Sequence, residues 1–256
     1  MKAFLFYKPI NEIPVITVPG SKSESNRLLI LKGIFSNVTI YNLSNSDDTI
    51  CLQNGIEKIE GTVDIHHAGT AMRFLTAFFA SRNGVEVVLT GSERMQERPI
   101  KVLVDALKYL GAEIDYLKND GYPPIKIIGK ELKVNSVTLK ANISSQFISA
   151  LMLIAPSLKN GLAINLIGEI TSVPYIEMTL NLLRKVGIHG TFSNNKIEIN
   201  PALNISNCVI NVESDWSSVS YYYSLVALSD NLEVILKNYT ESSIQGDSIV
   251  KAIYEK

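Results

Sequence analysis

Apolar and polar positions along this chain switch repeatedly between a period near two and a period near 3.6, marking out strands and helices in turn. Residues 15–18 read as a short strand and 24–35 as a helix, followed by a strand at 38–41 and a helix from 47 to 58. A strand at 62–65 precedes a long apolar helix over 69–81, and 86–89 is again β-rich. Pro99 suits a first helical position, so a helix is expected from there to Leu110, with Gly111 as its stop. Strands at 113–117, 125–128 and 137–139, a helix over 144–154 and a strand at 163–166 extend the series. Such alternation is the signature of an α/β fold.

Part of the pattern repeats. Arg98-Pro99-Ile100, Leu107, Leu110-Gly111-Ala112 and Pro124-Ile125-Lys126-Ile127 recur as Val173-Pro174-Tyr175, Leu183, Val186-Gly187-Ile188 and Lys196-Ile197-Glu198-Ile199. Each copy is a proline-started helix, a leucine-rich face, a glycine stop and two strands. A duplicated β-α-β-α-β-β unit is inferred, with about three copies before residue 213 and 47–65 as a degenerate one. Two unrelated helix–hairpin units would explain it less well, because proline, glycine and strand pair keep their register.

Composition narrows the function. The chain is 46% hydrophobic and 19% charged, below the ~25% average, so 256 residues build a substantial core. A net charge of −1 argues against nucleic acid or an anionic membrane surface as the main partner. No apolar run approaches the ~20 residues of a membrane span, and the apolar start at 3–7 is too short for a signal-peptide core. Cys51 and Cys208 are isolated, and reduced thiols in the cytosol are the simplest reading. Any anion recognition is therefore local. Four of six arginines (Arg27, Arg73, Arg94, Arg98) fall in three short segments, against eighteen lysines spread as the default surface cation. Arginine suits bidentate capture of carboxylate and phosphate.

Those segments sit at helix starts. Pro19-Gly20-Ser21-Lys22-Ser23-Glu24-Ser25-Asn26-Arg27 turns directly into the apolar run at 28–31. Its serines suit caps, and free backbone N–H groups at such a start attract anions, although P-loop spacing is absent. An ordinary capped helix with two solvated cations is the plainer alternative. Ala68-Gly69-Thr70-Ala71-Met72-Arg73 places a glycine at a second helix mouth. Gly91 to Pro99 presents two arginines and two glutamates before a helix, which a salt-bridged loop would also explain. Ser144-Ser145-Gln146 supplies two hydroxyls and an amide at a third start. Such starts would converge on a small polyanion rich in hydroxyls if the repeats are related by rotation.

Taken with Pro174-Tyr175-Ile176, these collinear motifs resemble the 5-enolpyruvylshikimate-3-phosphate synthase family. The resemblance implies an enolpyruvyl transferase-like α/β domain of three repeated β-α-β-α-β-β units, over residues 19–212. It implies an incomplete second domain of the same type, from 1–18 and 213–256. The substrates it implies are shikimate 3-phosphate and phosphoenolpyruvate. Lys22 would contact both and act as the catalytic proton shuttle; Gly69, Arg98 and Gln146 would join it on the phosphoenolpyruvate side. Ser23, Arg27, Ser144, Ser145, Gln146, Ser172 and Tyr175 would hold shikimate 3-phosphate with Lys22. Arg73 and Arg94 are expected behind the site, in ion pairs. His67 stands where the family more often has asparagine and Phe74 where it often has proline, which bears on the shape of the phosphoenolpyruvate pocket.

No metal or organic cofactor is implied, and His66, His67 and His189 lack ligand spacing for a metal. A cytoplasmic monomer without nucleic-acid or membrane partners is expected. The resemblance implies that the family's acid and base carboxylates, and further cations gripping phosphoenolpyruvate, lie in the part of the family that this chain does not match. The expectation is a truncated chain that binds shikimate 3-phosphate weakly without turnover. Two other readings are a UDP-N-acetylglucosamine enolpyruvyl transferase, disfavoured because no reactive cysteine lies near 94–99, and a non-catalytic anion-binding module.

Overall fold

The computed structural model describes residues 12–142, 144–171 and 173–255. In chain order the elements are β1 (Val15–Thr17), α1 (Lys22–Ile34), β2 (Val38–Tyr41), α2 (Asp47–Gly55), β3 (Glu60–Asp64), α3 (Gly69–Ala80) and β4 (Glu86–Thr90). Then come α4 (Glu93–Gln96), α5 (Lys101–Leu110), β5 (Glu113–Tyr116), β6 (Ile125–Ile128), β7 (Ser136–Lys140), α6 (Ser145–Ile154) and β8 (Leu162–Ile167). The remainder is α7 (Val173–Lys185), β9 (Gly190–Ser193), β10 (Lys196–Ile199), β11 (Cys208–Asn211), α8 (Trp216–Ala227), β12 (Ile235–Lys237) and α9 (Ile249–Tyr254).

The strands form mixed sheets. One has the order β3-β4-β6-β5 and another β7-β8-β10-β9, each with a parallel first pair and two antiparallel pairs after it. Side chains on β7, β8 and β10 alternate buried and outward, so the sheet keeps one wet face and one face for the helices. Residues Glu60–Asp64, expected in a degenerate third copy, instead form the first strand of the sheet containing β4. The strand β2 pairs in parallel with distant β11, and β1 with β12.

The helices fill the centre. All twelve residues of α3 are buried, and α6 is buried from Phe147 to Ile154. A helix apolar all round belongs in a core. Among the described residues no helix is long and apolar enough to cross a membrane. Two expectations change. Pro99 lies before Ile100, the cap of α5, rather than at its first position, and Pro174 is the second residue of α7. The glycine stop holds at Gly111, whose φ of 113° is left-handed.

Gly20 fixes how the mouth of α1 is tied down. It bridges Ser214, and a Cβ there would overlap the backbone oxygen of Asn42. Gly20→Ala is therefore expected to cost about 2 kcal/mol in denaturant unfolding, since backbone cannot yield as a flexible side chain does. An unchanged midpoint would show that the Asn42 segment moves freely.

Candidate anion-binding site

The first turn of α1 is built from caps and long-range ties. Ser21 Oγ accepts from the Glu24 amide, and Ser21 N donates to the Glu213 carbonyl at 2.8 Å. The backbone N of Lys22 donates to Asp215 Oδ2 at 3.2 Å, while Asp215 Oδ1 caps α8 by accepting from Ser218 N at 2.8 Å. One aspartate therefore serves two helix starts. Lys22 and Ser23 line a cleft with Ser44, Ser46 and Asp215; Ser23 and Tyr175 line a second with Asp215 and Gln245.

Arg27 lies beneath this mouth, 3% exposed, with its guanidinium beside the rings of Phe74 and Tyr175. It donates to Thr179 Oγ1 at 2.8 Å, Ser149 Oγ at 2.9 Å and the Ser23 carbonyl at 2.8 Å. All are neutral, and among the described residues no carboxylate forms an ion pair with it. Burial pulls its pKa down to about 10, against weaker opposing effects of Tyr175 and Glu24.

A second group gathers at the starts of α3 and α6. The Arg98 guanidinium packs where a Cβ on Gly69 would stand, so only glycine leaves it room. Gln146 Nε2 donates to Thr70 Oγ1 at 3.2 Å, joining the two helix starts. Ser144 is the N-cap of α6 and Ser145 its first residue. Arg98 shares a small cleft with His67, Arg94 and Met95. Arg73 also has its pKa brought down to about 10, first by burial and then by the nearby positive charge of Arg98, with Asp48 opposing. Two arginines therefore stand near each other at this end of α3, with Asp48 facing them.

Some expected partners differ. Arg73 is not in an ion pair: it donates to the carbonyls of Gly69 and Pro99, contacts Met95 Sδ, and lies over the Phe147 ring. Arg94 forms no ion pair among the described residues. His67 Nε2 lies 3.1 Å from Asp47 Oδ2. Ser172 lies outside the described residues. Asp48, Asp215 and Gln245 also belong to these helix starts, although none was among the expected site residues. Asp48 Oδ1 accepts from the Thr70 amide at 2.8 Å, occupying one donor at the α3 mouth. Its adjacency to Asp47 at a helix start was the available signal.

No group of three or more His, Cys, Asp or Glu suited to a metal occurs among the described residues.

The family model for EPSP synthase (3-phosphoshikimate 1-carboxyvinyltransferase) matches residues 49–256. A curated relative from Bacteroides fragilis, named 3-phosphoshikimate 1-carboxyvinyltransferase, is 44% identical over 96% of this chain and 60% of its own length. One of the same name from Haemophilus influenzae is 36% identical over 97% of this chain and 64% of its own. The chain therefore spans about three-fifths of the curated relatives it matches. The solved EPSP synthase of Acinetobacter baumannii superposes with a TM-score of 0.73 at 19% identity, covering 89% of this chain and 56% of that one, a likeness of fold. On the extent of the family match and the shared mixed α/β architecture, the chain belongs to the EPSP synthase family.

Proposed function

We propose that this chain supplies the shikimate 3-phosphate-binding side of an enolpyruvyl transferase. The buried Arg27 beneath Ser23 and Tyr175 is the observation that carries the reading: a cation kept out of water whose hydrogen-bond partners are all neutral is suited to an anionic guest. Lys22, Ser23, Ser144, Ser145, Gln146 and Tyr175 complete the shikimate-phosphate side. Gly69 and Arg98, with Lys22 and Gln146, serve phosphoenolpyruvate. Residues 19–212 form one domain of three β-α-β-α-β-β units. The two sheets of matching order support two units, and the β2–β11 pair supports a third assembled from distant segments.

The reaction proposed for the whole protein is addition–elimination. The 5-hydroxyl oxygen attacks C2 of phosphoenolpyruvate while C3 gains a proton, and the hydroxyl proton departs to a base. The tetrahedral adduct then loses a proton from C3 and expels phosphate, restoring the double bond as an enol ether. Lys22 is the proposed proton carrier on this side. Holding two anions together against their repulsion is the task of Lys22, Arg27 and Arg98, and orientation alone can supply roughly 7–11 kcal/mol.

Titration calorimetry with shikimate 3-phosphate and UDP-N-acetylglucosamine tests the reading. Heat with the first ligand alone is expected. Heat with only the second would favour the sugar-nucleotide transferase, and none with either a module of other function.

A further inference from the structure

We propose that Gln245 is a positioning residue for the mouth of α1: its amide holds Glu24 and Trp216 together and sets the turn bearing Lys22 and Ser23 against the first turn of α8. What that mouth binds rests on the functional reading above; the coupling itself does not.

Gln245 is 5% exposed and reaches across 221 positions of sequence. Its Nε2 donates to Glu24 Oε1 at 2.9 Å and to the Ser214 carbonyl at 3.0 Å, with Glu213 Oε2 at 3.4 Å as a third acceptor. Its Oε1 accepts from the backbone N of Trp216 at 2.9 Å. A side-chain amide is the neutral group that donates and accepts in this way. Two acids share it, and both are buried. Glu213 is well supplied, accepting from the Trp216 indole, from Thr240 N and Oγ1, and from Ser243 Oγ. Glu24 accepts only from Gln245 among the described residues.

This imbalance leaves Glu24 as a buried carboxyl with a single hydrogen-bond donor. The charges facing it are Glu213 before α8, Lys185 at the end of α7, and Arg27 in its own helix. Burial is the largest effect and, with Glu213, outweighs Lys185, Gln245 and Arg27, pushing the Glu24 carboxyl up to about 7. Below that pH Glu24 is neutral. Above it a second negative charge stands beside Glu213, one residue from Ser23, where it repels an anionic guest. By linkage, an anion bound at the mouth raises the Glu24 midpoint.

Trp216 is the chain's single tryptophan and touches both Gln245 and Glu213, so its fluorescence reports on the cluster. The 256-residue chain, Glu24→Gln and Gln245→Ala are titrated between about pH 5 and 9, with thermal melts confirming folding. The expected parent midpoint is near 7, absent in Glu24→Gln and higher in Gln245→Ala, which loses a bond favouring the carboxylate. Amide exchange at residues 21–24 is expected to quicken in Gln245→Ala while that of α3 stays unchanged. Shikimate 3-phosphate is expected to bind the parent several-fold more weakly at about pH 8 than at about pH 6, relative to Glu24→Gln. The variant carries the same ligand titration, so the ratio isolates Glu24. A parent signal with no midpoint, a midpoint surviving in Glu24→Gln, or unaltered exchange in Gln245→Ala overturns the proposal. Expected fluorescence and exchange with no ligand binding in any protein instead overturns the functional reading and leaves the coupling supported.

Discussion

Replacing Arg27 by methionine is expected to leave stability within about 1 kcal/mol of the parent while weakening shikimate 3-phosphate binding roughly a hundredfold. Two opposing effects decide the stability. Methionine removes the cost of burying a cation that has only neutral partners, and similar replacements are often neutral or favourable. It also forfeits a cation beside two aromatic rings, worth about 2 kcal/mol when desolvated, and leaves the Ser23 carbonyl short of a donor, costing about 1–3 kcal/mol. Ser149 and Thr179 are already 3.2 Å apart and can satisfy each other. The terms nearly cancel. Binding has no such offset, because a charged hydrogen bond is worth about 1.5–3 kcal/mol. Denaturant unfolding and calorimetry on the same variant separate the two. A loss above about 3 kcal/mol in stability with binding retained would make Arg27 a packing residue.

The second large effect concerns pH. Glu24→Gln is expected to gain about 3 kcal/mol over the parent at about pH 8 and almost nothing at about pH 4. Between the ordinary carboxyl value of 4.5 and about 7, the folded chain keeps a proton that the unfolded chain has lost. Folding then binds a proton, so parental stability falls as pH rises through that window and stays low above it. Glutamine carries no such proton and can still accept from the Gln245 amide. Urea unfolding across this range would show the two curves diverging upward from about pH 5. Parallel curves would mean that Glu24 ionises as freely folded as unfolded.

The sequence made local features legible and left tertiary pairings hidden. Helix α3 was readable from its largely apolar run, and the end of α5 from Gly111, because each signal lies within one turn of its effect. Helix α4 was missed: four residues capped by Ser92 carry too little periodicity to show. Clustering of Arg73, Arg94 and Arg98 pointed to the mouth of α3, but charge alone suggested ion pairs for Arg73. Its carbonyl and sulfur partners come from packing against Gly69, Met95 and Pro99. Asp215 and Gln245 were invisible as parts of the site for a different reason. Their partners Lys22 and Glu24 lie about two hundred positions away, and no local pattern encodes which distant carboxylate or amide will meet a helix start.

For the proposed function to hold, Arg27, Ser23 and Tyr175 must face the same guest as Ser144, Ser145 and Gln146. A crystal structure of this chain soaked with shikimate 3-phosphate tests that most directly. The ligand is expected in the cleft over Ser23 and Tyr175, with its phosphate within hydrogen-bond distance of Ser144 or Ser145. Full occupancy elsewhere on the surface, with these side chains untouched, would contradict it.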